Sequence, residues 1–325
     1  MASFVARTRA DERAVRPMDP AWFGPLAPLI EDGNVTDVFV NPDGAVWVDR
    51  GRGSSRADDI RLPPGEARDL AIGLVSLGER HVDEATPCVD VRLGDGVRVH
   101  VVLPPVSPGG AVISIRVPRP QTLSLDDLAG AGYFGRIGVD RIRDLVFRRA
   151  NLLVTGAGGS GKTTLLAAML SAAPASERLV IVEDVAELRV AHPHVVALEA
   201  RQANLDGAGA IGLDRLVRES LRMRPDRLIV GECRGAELRE LLGALNTGHD
   251  GGAGTVHANS LDDLPARIEA LGSLAGLSAD AVARQAVSAF DAVLHVERVG
   301  ETRRLAAMGV LSLEGGRLAI DEEPA

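Results

Sequence analysis

Eight consecutive residues, Gly156-Ala157-Gly158-Gly159-Ser160-Gly161-Lys162-Thr163, combine small flexible positions with one cation and one hydroxyl. Glycines let backbone N–H groups turn inward and approach an anion closely. Lys162 adds a compact positive charge, and Thr163, followed by Thr164, offers a hydroxyl suited to a hard divalent cation. The spacing satisfies G-x-x-x-x-G-K-[ST], the pattern of a loop that cradles nucleotide phosphates. The predicted chemistry is binding of ATP with Mg2+, Lys162 reaching the β- and γ-phosphates. The plain alternative is a glycine-rich turn that matches by chance. The chain's 36 basic residues include a single lysine, Lys162. An Arg fork is wider and differently hydrated, and it does not replace Lys at a single-point phosphate contact.

Hydrolysis asks for more: a group to position water, acids for the metal, and cations to meet developing charge. Residues 179–183 are an apolar run that ends in Glu183, with Asp184 and Glu187 just beyond. A carboxylate at the C-terminal end of a parallel strand faces the ligand crevice of such a sheet. Glu183 is therefore the first candidate to position or activate the water; a solvated acidic turn is the alternative. Residues 228–232 form a second apolar strand ending in an acid. The position where an Asp is expected holds Gly231, so Glu232 is assigned to Mg2+, directly or through water, with a catalytic role as the alternative. The glycine-rich stretch 248–257 carries His249 and His257, two of the seven histidines. His257 is a candidate to contact the γ-phosphate or couple it to neighbouring strands. Arg218, Arg222, Arg224, Arg227 and Arg234 crowd the sequence around Pro225-Asp226 as candidate phosphate contacts, in their own subunit or a neighbour's.

These residues need elements to hold them. The apolar run 152–155 precedes the phosphate loop, and a helical pattern over 162–172 follows it. Further strands are predicted at 179–183, 195–198, 227–231, 254–257 and 292–298, alternating with helices at 213–222, 236–247, 261–271 and 279–290. Apolar strands alternating with helices indicate a mostly parallel sheet covered on both faces. Residues 303–320 read as a hairpin or edge strands. Upstream, residues 36–49 read as a hairpin around Asn41-Pro42-Asp43-Gly44. A helix is expected over 66–80 and strands over 88–93, 97–103 and 111–117, with Gly94-Asp95-Gly96 as a turn. The expected organisation is a loose lead-in over 1–20 and an N-terminal α+β domain over 21–117. A linker with a short helix follows over 118–138, begun by Pro118-Arg119-Pro120, and an ATPase domain covers 139–325.

A length of 325 residues suits about two domains, and 46% hydrophobic residues suffice for real cores. No apolar run approaches the roughly 20 residues of a membrane-spanning helix. The polar first residues lack the apolar centre of a secretory leader, so a cytoplasmic protein is expected. Cys88 and Cys233 are far apart without metal-ligand spacing and read as reduced thiols. A net charge of -9 and 3% aromatics weigh against nucleic-acid binding.

Together the blocks resemble the secretion ATPase superfamily of type II and type IV secretion, type IV pili and Flp/Tad pili. Four signature boxes occur in the family's order: GAGGSGKTT, VIVEDVAEL, RMRPDRLIVGECRGAE and TGHDGGAGTVHANS. VTDVFVNPDGAVWVDRG, VRVHVVLPPV and VISIRVPRP resemble its N-terminal domain, so the likeness covers roughly residues 21–300. Within the superfamily the chain is most similar to the CpaF/TadA-type and conjugal transfer-associated ATPases, with RMRPDR and HANS also resembling the VirB11-like branch. With two cysteines, the tetracysteine zinc insertion of many relatives cannot form. The resemblance implies an α/β, RecA-like P-loop ATPase domain preceded by a smaller α+β, PAS-like domain. It implies that residues 156–164 bind nucleotide, that Lys162 and Thr163 are nucleotide and Mg2+ ligands, and that Glu183 is the water-activating glutamate. Glu232 matches the Walker B acid, and His249 and His257 match the His-box histidines. Arg98 and Arg116 fall where first-domain arginines reach nucleotide, and Arg218, Arg222 and Arg234 fall in the arginine-rich region. It further implies a homo-oligomer, a hexameric ring whose domains shift with nucleotide state, acting on an inner-membrane platform protein from the cytoplasmic face. Two other functions fit less of the sequence: a nucleotide-binding scaffold with little turnover, which Gly231 favours, and a RecA-like nucleic-acid translocase.

Overall fold

The computed structural model describes residues 18–94, 96–118, 122–201 and 209–323, in two compact units divided at residues 120 and 121. The expected lead-in up to residue 17, Asp95 of the predicted turn, and Arg119 and Pro120 of the predicted linker lie outside the described residues.

The first unit opens with a 3-10 turn Pro20–Leu26 and α1 Ala27–Glu31. Then come β1 Asp37–Val40, β2 Ala45–Asp49, β3 Ser54–Arg61, α2 Pro64–Leu77, β4 Cys88–Leu93, β5 Val97–Val102 and β6 Val112–Arg116. The six strands form an antiparallel sheet in the order β3-β2-β1-β6-β5-β4. Alternation along each strand sends Val38, Val46, Val91, Val99 and Ile113 to one face, where Phe23, Leu26, Ala71 and Leu74 cover them. Arg98 and Arg116 are register partners on adjacent strands, on the opposite face from this core, and Arg92 partners Arg98 from the other side. Arg116 also pairs with Asp37 at 3.3 Å.

The second unit contains α3 Leu125–Gly130, α4 Val139–Phe147, β7 Leu152–Gly156, α5 Lys162–Ser171, β8 Leu179–Glu183, β9 Val195–Glu199, α6 Leu213–Leu221, β10 Arg227–Val230 and α7 Glu237–Leu245. After these run β11 Ala253–His257, α8 Leu264–Leu274, α9 Ala279–Ala289, β12 Ala292–Val299, β13 Thr302–Glu314 and β14 Arg317–Glu322. The sheet order is β14-β13-β12-β7-β11-β10-β8-β9. The strands from β12 to β9 run parallel; β13 and β14 are appended antiparallel. Successive residues of the central strands feed two cores. Leu152, Val154, Ile181 and Ile229 pack with α3, α4 and α5, while Leu153, Val182, Leu228 and Val230 pack with helices α6 to α9. Burial on both faces is why these strands are continuous apolar runs. Residues 122–138 do not behave as a bare connector: Leu125, Leu128, Tyr133 and Phe134 are buried in the core beside α5.

No helix among the described residues is long and apolar enough to cross a membrane.

Candidate active site

β7 runs straight into the phosphate loop. Gly156 closes the strand at φ +149, and a Cβ there would lie 2.1 Å from the Val296 carbonyl oxygen, so the position excludes any side chain. Ala157, Gly158 and Gly159 are exposed, Ser160 is buried, and Gly161 caps the N-terminus of α5. Thr163 and Thr164 occupy the first turn of that helix, half-buried and exposed. The arrangement presents loop N–H groups and the positive end of a helix to one space, a ready anion site.

Lys162 is 7% exposed. Its Nζ donates to the carbonyl oxygens of Gly156 at 2.8 Å and Ala157 at 2.9 Å. Its third proton points to His257 Nδ1 at 3.2 Å. Because an ammonium only donates, Nδ1 must accept, and His257 Nε2 carries the proton toward Glu232 Oε1 at 2.9 Å. Glu232 Oε2 accepts from Arg234 Nη2 at 2.8 Å. The four side chains form one relay, Lys162–His257–Glu232–Arg234, brought together because His257 ends β11, Glu232 follows β10 and Lys162 follows β7.

Burial pushes the Lys162 ammonium below its ordinary value, opposed by Glu232 and Glu187. Burial, then Lys162, lowers His257, while Glu232 opposes them. Burial alone would raise Glu232, but Arg234, His257 and Lys162 together hold it below the usual carboxylate range. The set favours a neutral histidine between a cation and an anion.

Glu183 is 5% exposed at the end of β8. Its Oε1 accepts the backbone N–H groups of Glu187 at 2.9 Å and Leu188 at 3.0 Å, which fixes the carboxylate and the turn after it. β8 and β10 are in parallel register, Val182 beside Val230, so Glu183 comes level with Gly231. A Cβ on Gly231 would lie 2.5 Å from Glu183 Cγ and 3.1 Å from its Cδ. The missing Asp is thus a matter of space: Glu183 fills the place where a side chain at 231 would sit.

Not every candidate gathers here. His249 does not: it sits after α7, bonded through N and Nδ1 to the Ala244 carbonyl. That is the N-terminal end of β11, where Gly252 meets Asn151, whereas Lys162 lies at the end where His257 meets Gly156. Five residues at about 3.3 Å separate the two ends by roughly 16 Å, so His249 does not reach the loop of its own chain. Arg218 is engaged by Asp214 and Glu240, both at 2.9 Å, and Arg222 by Glu219 at 3.5 Å. Arg227 is buried at that far end of the sheet, paired with Glu177. Only Arg234 of the clustered arginines joins the relay.

One residue at the loop has no sequence signature. Arg303 on β13 donates from Nε to the Gly159 carbonyl at 3.0 Å. It lies some 140 positions from the motif in an arginine-rich chain, and only the pairing of β12 with β13 brings it in.

The described residues contain no cluster of three or more His, Cys, Asp or Glu suited to a metal ion.

The family described as Type II/IV secretion system protein matches residues 21–298. A Mycobacterium tuberculosis protein named for conjugal transfer is 48% identical over 303 residues, 91% of this chain and 86% of its own. The conjugal transfer protein TrbB of Rhizobium radiobacter is 32% identical over 320 residues, 96% of this chain and 94% of its own. Among solved structures, the ATPase DotB of Legionella pneumophila matches with a TM-score of 0.58 at 18% identity, covering 89% of this chain and 80% of that one.

Proposed function

The chain belongs to the type II/IV secretion system protein family, and from that premise we propose that it is an ATP-hydrolysing ring motor. The observation that carries this reading is the relay from Lys162 through His257 to Glu232 beside the exposed loop 157–159, with Glu183 fixed on the neighbouring strand. An arriving phosphate competes with the Gly156 and Ala157 carbonyls for the Lys162 ammonium. When Lys162 leaves His257, the charge that disfavours a second proton on the ring recedes, so Nδ1 can take one up and donate to the phosphate, and Glu232 loses part of the positive field that holds it. The relay thus reports occupancy of the loop to β10 and β11. Bound Mg2+ supplies charge neutralisation at the phosphates, and Thr163 and Glu232 are the residues that would hold it. Glu183 Oε1 accepts two backbone N–H groups, which holds the carboxyl group at the strand end where it would orient the attacking water.

The motor works as a homo-oligomer, a hexameric ring, on the cytoplasmic face of the inner membrane. It acts on platform proteins of a Flp/Tad-type pilus or of a related conjugal transfer or secretion machine. Arg98 and Arg116 of the first unit contribute cations to the nucleotide, and Arg218, Arg222 and His249 act on a neighbour's nucleotide. The stroke moves first units against second units through the connection that begins at Pro118. Stable nucleic-acid binding is not part of this function. Against the scaffold reading stands the Glu183 side chain, which occupies the space beside Gly231.

The test is phosphate release by the assembled oligomer carrying Glu183→Gln or Glu232→Gln. Glu183→Gln is expected to abolish release while leaving nucleotide binding intact, and Glu232→Gln to weaken the Mg2+ dependence. Near-parental release from Glu183→Gln moves the base to Glu232; release unaffected by either change removes both from the chemistry, and no release from the parent ends the ATPase reading.

A further inference from the structure

The phosphate loop is gripped from its outer side as well as through Lys162. Gly161 has φ +103, and a Cβ there would lie 3.1 Å from Arg303 Cδ and 3.9 Å from Arg303 Cβ. The aliphatic stem of Arg303 therefore lies against Gly161 while its Nε reaches past to the Gly159 carbonyl at 3.0 Å. Tyr133 completes the contact. Its hydroxyl lies 3.9 Å from the same point above Gly161, is buried, and has no hydrogen-bond partner. The Tyr133 carbonyl accepts the Leu305 N–H at 2.8 Å, so Tyr133 and β13 are tied together. The ring packs edge-on against Phe134, centroids 5.3 Å apart, which fixes where the hydroxyl points. Burial raises the Tyr133 hydroxyl above its ordinary value, with the Arg303 charge opposing, so it is a donor at every physiological pH.

We propose that Arg303 and Tyr133 form a clasp on the outer face of the phosphate loop and act as positioning residues for nucleotide binding. A buried hydroxyl without a partner is costly. The hydroxyl lies beside Gly161, a residue of the loop itself. An anion in the loop draws N–H groups inward and so turns carbonyls outward, toward Arg303 and Tyr133. The loaded loop gives the Tyr133 hydroxyl its acceptor and shortens the Arg303 contact; the empty loop leaves the hydroxyl orphaned. The clasp therefore stabilises the loaded state more than the empty one, and it links the loop to the β12–β13 hairpin.

This inference rests on the nucleotide-binding reading and is tested by a measurement that does not require turnover. The full chain is melted with and without Mg-ADP, as parent, Arg303→Ala, Arg303→Lys, Tyr133→Phe and Lys162→Ala, and the ADP dissociation constant is measured for each. Tyr133→Phe is expected to melt at or above the parent when empty, because it removes an orphan hydroxyl, yet to gain less from ADP. Arg303→Ala is expected to weaken ADP about tenfold, the loss of one charge-assisted hydrogen bond. Arg303→Lys is expected to recover part of it, since an ammonium can donate to the same carbonyl. A purely structural role would lower the empty melting temperature and leave the ADP-induced rise unchanged in both Arg303→Ala and Tyr133→Phe; that result overturns the clasp. A parent that ADP does not stabilise, like Lys162→Ala, ends the nucleotide reading itself and the clasp with it.

Discussion

The two ends of the second unit's sheet are both crowded with charge, yet they are built differently. At the N-terminal end of the parallel strands, Arg227 is 3% exposed, pairs with Glu177 and donates to the Val146 carbonyl at 2.7 Å. Arg149 donates to the carbonyls of Asp226 and Asp250, Asp226 accepts the Arg178 N–H, and Asn151 accepts the Gly252 N–H. Those partners are mostly backbone and cannot leave, so this end is a brace. At the C-terminal end Lys162 holds two carbonyls of the exposed loop, and from it a run of side-chain contacts passes through His257 and Glu232 to Arg234. Such partners can exchange for a ligand. Charge density alone does not mark a site; replaceable partners do, and strand direction decides which end has them.

The contrast can be broken most strongly at the brace. Arg227→Met leaves Glu177 only its longer contact with Arg149, at 3.9 Å, and is expected to cost about 3 kcal/mol of stability, the lower end for a broken buried pair, read by urea denaturation, with turnover per folded molecule retained. A loss below about 1 kcal/mol would mean that this end is no brace.

Gly231→Ala sharpens the other end. The new methyl must displace Glu183, whose Cγ lies 2.5 Å from it. The expected result is about 1–3 kcal/mol of destabilisation from overpacking and a clear fall in phosphate release. Unaltered release would show that Glu183 need not hold its present place. His249→Asn, at the brace end, should change phosphate release per chain little in a preparation that does not assemble; a large fall there would restore it to the site of its own chain.

The smallest effect is a pH dependence. Burial, aided by Lys162, holds the His295 imidazole below its ordinary value. The unfolded chain then takes up a proton that the folded chain refuses, so stability falls as pH drops below about 6.5. His295→Gln is expected to flatten the decline in melting temperature between pH 7.5 and 5.5.

Much of this was legible in the sequence where the signal is local. Residues 156–163 declare their chemistry within one turn of chain, and the apolar runs ending in Glu183 and Glu232 declare strand and direction together. β3 was missed because SSRADDIR is a polar edge strand with mostly exposed side chains. The helical turns over Pro20–Glu31 were missed because three prolines read as breakers. His249 reads in the sequence as a companion of His257, eight positions on, a spacing that hides a full strand between them. Gly231 read as a lost acid, since only the register of β8 against β10 shows Glu183 lying across it. Arg303 could not be found at all, because its role comes from antiparallel pairing and not from its neighbours in sequence.

The most direct test of the replaceable end is the rate of phosphate release from Mg-ATP by the assembled protein, parent beside Lys162→Ala at equal folded concentration. The account predicts a fall of about a hundredfold or more, the order of loss seen when a group that stabilises the transition state is removed, with the melting temperature of the empty protein nearly unchanged. Release by Lys162→Ala at close to the parental rate would contradict it.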